Sequence, residues 1–158
     1  MKKTSFAILT LFLLTAVSCK KEKKEPTESG PAPLKSLFFK MDGLSYNPAT
    51  QSIQHTSGKI FFSTSSNTNE SISITVSDTL TPGSYNFSPS GSAAFRMFYT
   101  PDNYVTSYTS ESGTGTIVSH DFQNNQIQAT FNCMLVSNGT TPDTIYVTNG
   151  EINKSYPQ

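Results

Sequence analysis

Cys19 is the residue whose chemistry can be interpreted most directly from the sequence. Lys2 and Lys3 precede a largely apolar run over 6–14, and small residues over 15–18 then lead directly to the cysteine. A basic start, a short apolar segment and small residues before a cleavage point form the pattern of a secretory signal peptide. A cysteine directly after that point is the residue that bacterial lipoproteins acylate. We therefore expect cleavage before Cys19 and lipidation of this residue.

Two alternatives to lipidation arise from the same segment. A membrane-spanning helix needs about 20 apolar residues, and the stretch over 6–17 is shorter and contains two threonines. Ordinary signal peptidase would cut at the same bond, because Ala16 and Ser18 satisfy its small-residue rule. Ala16 also stands where the usual lipoprotein pattern has leucine. Lipidation remains the prediction, since a cysteine at the cut would otherwise be a coincidence.

Catalytic candidates are few. His55 is expected in a polar loop, and His120 is followed by Asp121 at the end of a predicted strand. Adjacent strand residues point to opposite faces, so His120 and Asp121 do not form a catalytic pair by sequence alone. Cys133 alternates with apolar residues and is expected in the core. We therefore predict no catalytic residue and interpret both histidines as surface residues.

An aromatic cluster gives the most suggestive binding pattern. Its members flank a turn over 101–103 and are Phe95, Phe98, Tyr99, Tyr104 and Tyr108. Rings beside Asn and Asp are typical of surfaces that bind sugars or peptides. Tyr99, Tyr104 and Tyr108 are therefore candidate ligand-binding residues. Core packing of the same rings is the alternative.

Charge and composition exclude several partner classes. From Leu34 onward, five basic residues stand against eight acidic ones without a basic patch, so no nucleic-acid partner is expected. A single thiol in that region excludes an internal disulfide and a cysteine zinc site. Asp121, Asn124 and Asn125 could offer oxygens to calcium, but the same segment is also a common turn. No phosphate loop is recognisable and no cofactor is implied.

The elements that must position these residues are strands. Residues 20–33 combine charge, Ser, Gly and Pro without a large apolar side chain, which predicts a disordered tether. Downstream, short alternating apolar runs are separated by turn residues, and no window shows helical spacing. The predicted strands are 37–41, 59–64, 71–77, 84–88, 93–100, 104–109, 115–119, 126–137 and 144–149. This pattern predicts one all-β domain over 34–158, an antiparallel sandwich or flattened barrel of about eight to ten strands.

The strongest strand pattern lies over 126–137. Five apolar residues recur there at period two, which predicts that they face the core. The predicted hairpin partner is 144–149, with Ile145 and Val147 on one face and Tyr146 on the other. We expect Phe131 to lie in the core, so an aspartate at this position should unfold the domain.

Five short motifs in their order resemble those of a family of small uncharacterised envelope lipoproteins of the Bacteroidota. The motifs lie at 38–43, 83–87, 113–118, 127–131 and 147–153. The resemblance implies a lipid-anchored envelope protein with a β-rich domain and no assigned chemistry. It also implies O-glycosylation at Asp-Thr-apolar sequences, which occur at Thr79 and Thr144. Surface-exported members often carry acids after the cysteine, whereas here the run is lysine-rich, so the periplasmic and surface faces both stay open.

Two functional hypotheses follow. The first is a cell-envelope lipoprotein, anchored in the outer membrane, whose β-domain is non-enzymatic and either binds a protein or a glycan or has an assembly role. The second is a small hydrolase of envelope polymers, which would need a cleft with two carboxylates about 5–9 Å apart. The scarcity of histidine and the lack of a reactive thiol or a recognisable acid pair favour the first.

Overall fold

The computed structural model describes residues 36–48, 51–65, 70–101 and 105–158. They belong to a compact unit, Pro33–Gln158. The predicted signal peptide, Cys19 and the tether lie outside the described residues. Among the residues that the structure describes, there is no helix with the length and apolar character that a membrane span requires.

Ten strands are present in the described ranges. They are β1 (Leu37–Met41), β2 (Leu44–Tyr46), β3 (Ser52–Thr56), β4 (Lys59–Ser65), β5 (Ser71–Ser77), β6 (Gly83–Asn86), β7 (Phe95–Thr100), β8 (Tyr108–Asp121), β9 (Gln126–Ser137) and β10 (Thr144–Ser155). The prediction of an all-β antiparallel fold with about eight to ten strands is confirmed.

The strands form one sheet rather than two separate ones. Their order is β2-β1-β10-β9-β8-β7-β5-β4-β3, and β6 pairs with β8 beside this path. The sheet curls into a half-barrel, so its inner face encloses the core and its outer face turns away from it. Of the two predicted architectures, the flattened barrel is therefore the closer description.

β9 contributes its alternating apolar residues to the core, as its sequence pattern predicts. The five apolar residues of that pattern are all buried: Ile127, Ala129, Phe131, Cys133 and Leu135. β9 pairs with β10 as a hairpin, with Ile152 opposite Ala129. The Phe131 ring lies 6.2 Å from the Phe39 ring and 6.0 Å from the Phe87 ring, measured between centroids. Period-two alternation thus places one aromatic side chain against two others on the inner face.

Two glycines make room for aromatic rings on the inner face of the sheet. Gly150 of β10 pairs with Phe131, and a Cβ at this glycine would lie 2.5 Å from the Phe131 ring. A Cβ at Gly115 of β8 would lie 2.7 Å from the ring of Phe95. Glycine inside a strand commonly marks such a close approach. The curled sheet therefore depends on glycine at positions where neighbouring strands carry inward aromatic residues.

Several strand boundaries differ from the prediction. β8 is one long strand where two shorter ones were expected, because the polar segment between them stays in the sheet. Within that segment the Ser110 hydroxyl is buried and accepts the Met97 N–H at 3.0 Å. β2 and β3 were not predicted, since they are short edge strands with too few apolar residues to show alternation.

Candidate ligand-binding site

A bulge in β10 shapes the outer face of the sheet. Between Val147 and Gly150 this strand advances three residues while β9 advances two, from Cys133 to Phe131. The pairing of β10 with β1 is displaced over the same segment. Asn149 occupies the bulge with a φ of 53°, a left-handed conformation that asparagine tolerates better than most residues. The bulge breaks the regular pleat and leaves a depression on the outer face.

The larger part of this depression has a volume of about 480 Å³. It crosses β1, β10 and β9, and its lining mixes one outer-face aromatic ring, two amides, a hydroxyl and two opposite charges. The lining residues are Phe38, Lys40, Thr130, Phe131, Asn132, Asn149, Gly150 and Glu151. We refer to this depression, together with its extension described next, as the β10 groove.

The extension leads from β10 towards β8 and has a volume of about 300 Å³. Asn132 lines both parts of the groove, so the two adjoin at this residue. The other residues of the extension are Ser112, Gly113, Cys133, Met134, Tyr146, Val147 and Thr148. Tyr146 is 58% exposed, which makes its ring available beside the groove. The β10 groove therefore crosses four neighbouring strands.

Asn132 is held at the centre of the groove by a defined hydrogen bond. Its Oδ1 accepts the backbone N–H of Asn149 at 2.9 Å, which ties β9 to the bulge of β10. The bond uses the carbonyl oxygen of the side chain and leaves the two N–H donors of its NH₂ group. Asn132 is exposed on the outer face. It can therefore donate to a ligand while its orientation is fixed by the protein backbone.

The tyrosines predicted to bind a ligand lie elsewhere. Tyr104 is outside the described residues. Tyr99 and Tyr108 belong to the inner side of the sheet, with ring centroids 5.8 Å apart. The Tyr99 hydroxyl donates to Glu70 Oε1 at 2.9 Å, and the Tyr108 hydroxyl donates to Asp143 Oδ2 at 3.0 Å. These contacts match the packing alternative, and ligand binding by this cluster stays a prediction.

Burial and carboxylates set the electrostatics of these tyrosines. Desolvation, followed by the hydrogen bond to Glu70, raises the pKa of Tyr99. Desolvation, followed by the hydrogen bond to Asp143, raises the pKa of Tyr108. Both phenols therefore stay neutral over the physiological range and act as hydrogen-bond donors.

The two histidines meet at the other end of the sheet. His55 lies on β3, not in a loop, and its Nε2 is 2.7 Å from Asp78 Oδ2. His120 Nδ1 donates to the backbone oxygen of Leu80 at 2.8 Å, and its Nε2 lies 2.7 Å from the Tyr156 hydroxyl oxygen. The His55 ring also packs edge-on against Tyr156. Both histidines are partly exposed and bonded within the protein, and the prediction of a loop at His55 is wrong because this residue lies on β3.

This histidine cluster joins distant parts of the chain. It connects β3, the loop after β5, the end of β8 and the segment that follows β10. Every polar ring atom of His120 is used within the protein. In the described ranges, no group of three His, Cys, Asp or Glu side chains is placed to hold a metal ion. These contacts hold the four segments together at one end of the half-barrel.

The structure also places the two candidate glycosylation sites, the single thiol of the domain and the candidate calcium segment. Thr79 is exposed in the turn after β5, and Thr144 is partly exposed at the start of β10. Cys133 is buried, as predicted, and burial raises the pKa of its thiol to about 12. The carboxylate of Asp121 accepts from Asn124 and the Gln123 backbone, and the Asn124 bonds lower its pKa. This segment is therefore built as a turn.

The sequence interpretation missed the β10 groove. The predicted strand ends at residue 149, whereas Asn149-Gly150 forms a bulge after which β10 continues to Ser155. A signal was present, because Glu151 and Ile152 resume the strand alternation directly after the glycine. Isolated glycine within a strand pattern suggests a bulge.

Comparison with known proteins agrees with this description of an uncharacterised β-domain. Neither the curated proteins nor the solved structures contain a match to the chain. The family model described as "Domain of unknown function (DUF6252)" matches residues 39–155, which is nearly the whole described sheet. The chain therefore belongs to the DUF6252 family of domains of unknown function.

Proposed function

We propose that this protein is a cell-envelope lipoprotein, anchored in the outer membrane through Cys19, whose DUF6252 domain is a non-enzymatic binding domain. The signal-peptide pattern before Cys19 supports the anchor. The β10 groove supports the binding role, and it is the observation that carries the proposal. Its ligand is a glycan or a protein of the envelope.

The chemistry of the groove favours binding over hydrolysis. A glycosidase-type hydrolase needs two carboxylates about 5–9 Å apart, and Glu151 is the carboxylate among the residues that line the groove. Amide, hydroxyl and aromatic side chains supply hydrogen bonds and contact area without a reactive group. A small number of convergent polar groups beside apolar surface is the usual composition of a binding site.

The anchor is tested by comparing the full chain with its Cys19→Ser variant. We expect the native protein in the membrane fraction, released by detergent and not by high salt. Ala16 and Ser18 still permit ordinary cleavage in the variant, so it should appear processed in the soluble periplasmic fraction. A soluble native protein, or a Cys19→Ser variant that stays in the membrane, would contradict the anchor. Protease treatment of intact cells then distinguishes the surface face from the periplasmic face.

The binding role is tested by photo-crosslinking in cells. A photoreactive amino acid at Thr148, exposed in the groove, should form an adduct with an envelope component. The matched control places the same amino acid at Gln126, which is exposed on the same face but does not line the groove. Equal adducts at both positions, or none at Thr148, would argue against a ligand in the groove.

A further inference from the structure

The lining of the β10 groove contains enough chemistry to select a ligand class. We infer that the groove is a subsite for a neutral oligosaccharide, an inference that rests on the proposed function and specifies its ligand. The reasons are the donors and acceptors in the groove, the balance of its charges, its position within the sheet and its length.

The hydrogen-bonding groups suit a polyol. Asn132 presents NH₂ donors, because its oxygen is occupied by the Asn149 backbone. Thr130 offers a hydroxyl that both donates and accepts. Sugar hydroxyls also donate and accept, so several can be satisfied at once by such a mixed set. The half-buried Phe38 on the outer face of β1 adds a flat apolar surface for the C–H face of a sugar ring.

The charges of the groove disfavour other polar ligands. Lys40 and Glu151 contribute one positive and one negative charge to its lining. A phosphate, a sulfate or a nucleic acid backbone would need an excess of positive charge. An acyl chain would need an apolar lining throughout, whereas charged, amide and hydroxyl side chains line the larger part of the groove and only its extension is mainly apolar. A neutral polar ligand is the class that remains.

The position of the groove disfavours an extended peptide. Peptides commonly bind sheets by adding a strand at an open edge, where backbone groups are unpaired. The groove lies over β1, β10, β9 and β8, and each of these strands has a paired neighbour on both sides. A peptide lying there would find no backbone partner along its length. The side chains of the groove are the groups available to a ligand.

The groove is longer than one sugar ring. It runs across the strands from Phe38 on β1 to Ser112 on β8. Three inter-strand spacings separate these strands, a distance of about 14 Å. Phe38 near one end and Tyr146 beside the extension provide two aromatic surfaces. The ligand is therefore an oligosaccharide with at least two units, one for each part of the groove.

The experiment measures binding of the detergent-purified full-length protein to an array of defined neutral oligosaccharides and to a tryptic digest of envelope proteins. We expect binding to at least one oligosaccharide. The key variant is Asn132→Asp, which keeps the acceptor for the Asn149 N–H and replaces the NH₂ donors. It should weaken binding at least tenfold, with an unchanged thermal unfolding midpoint. Phe38→Leu, which removes the flat ring but keeps apolar volume, should also weaken binding at least tenfold.

The matched control is Gln128→Ala. Gln128 lies on the same strand and face as Asn132, four residues away, or about 13 Å along the strand, and it does not line the groove. Its variant should bind like the native protein. Loss of binding in this control, or full binding by Asn132→Asp, would overturn the site.

The remaining outcomes separate the inference from the proposed function. Absence of binding to every oligosaccharide overturns the saccharide assignment. If envelope peptides then bind and Asn132→Asp abolishes that binding, the proposed binding domain stands with a different ligand. If neither class binds, and Thr148 forms no adduct in cells, the proposed function fails as well.

Discussion

Gly150→Ala tests whether the curled sheet depends on close approach of backbone and aromatic ring. The added methyl carbon would lie 2.5 Å from three carbons of the Phe131 ring, whereas carbon atoms normally contact at about 3.5–4.0 Å. The ring or the strand must therefore move by about 1 Å or more. Phe131 is 1% exposed and packs against Phe39 and Phe87, so the ring has no open space to enter.

Overpacking of this kind costs about 1–3 kcal/mol. We expect the upper half of that range, about 2–3 kcal/mol, because the ring is enclosed on several sides. This corresponds to a roughly 30- to 150-fold larger unfolding equilibrium constant. The midpoint of thermal unfolding should fall by roughly 6–12 °C. The assay is urea and thermal unfolding of Pro33–Gln158, followed by far-ultraviolet circular dichroism.

The matched control is Gly91→Ala. A Cβ at Gly91 would have no atom within 4 Å, so its effect should stay within about 0.5 kcal/mol. The double variant Gly150→Ala with Phe131→Leu should cost less than the sum of the single changes, since the smaller side chain relieves the clash. A Gly150→Ala protein as stable as the native one would refute the packing argument.

Three further predictions concern groups that lie in the core or pack against it. Phe131→Asp places an unpaired charge in the core and should leave the chain unfolded, so a folded variant with native melting would contradict the placement of this residue. The pKa of Tyr99 is raised in the folded protein above its ordinary value of 10.0. The contribution of this residue to stability is therefore complete below pH 10 and is lost as the pH rises through the pKa of the folded state. The free energy of unfolding should therefore decline between pH 9 and pH 11, less steeply in Tyr99→Phe, and equal slopes in urea titrations would contradict this. Burial raises the pKa of Cys133 to about 12, so in a Cys19→Ser variant a thiol reagent at pH 8 should react only after unfolding, and rapid labelling of the folded protein would count against it.

The parts of the fold that the sequence predicts are those with strong alternation. β1, β5 and β9 begin and end at the expected residues, because apolar side chains at period two mark both the strand and its buried face. The Ile145, Tyr146 and Val147 alternation likewise places Tyr146 on the exposed face. The local sequence pattern is sufficient to predict a strand and its buried face wherever one face of the strand is buried.

The parts that were missed depend on contacts between distant residues. The five residues of β3 are polar apart from Ile53, and the strand forms because β4 supplies its hydrogen bonds. His55 and His120 are separated by 65 positions in the sequence, yet both meet Tyr156. Predicting the groove requires knowing that β10 continues through Asn149-Gly150 between β1 and β9, which the local sequence does not show. These features follow from strand order rather than from periodicity.

The anchor at Cys19 is the central claim of the proposed function. Its most direct test is intact-mass spectrometry of the protein purified from the membranes of the cells that produce it. We predict a mature N-terminus at Cys19 that carries the added mass of a diacylglyceryl group and an acyl group. A chain with an unmodified Cys19 amine, or one that still carries residues 1–18, would contradict the claim.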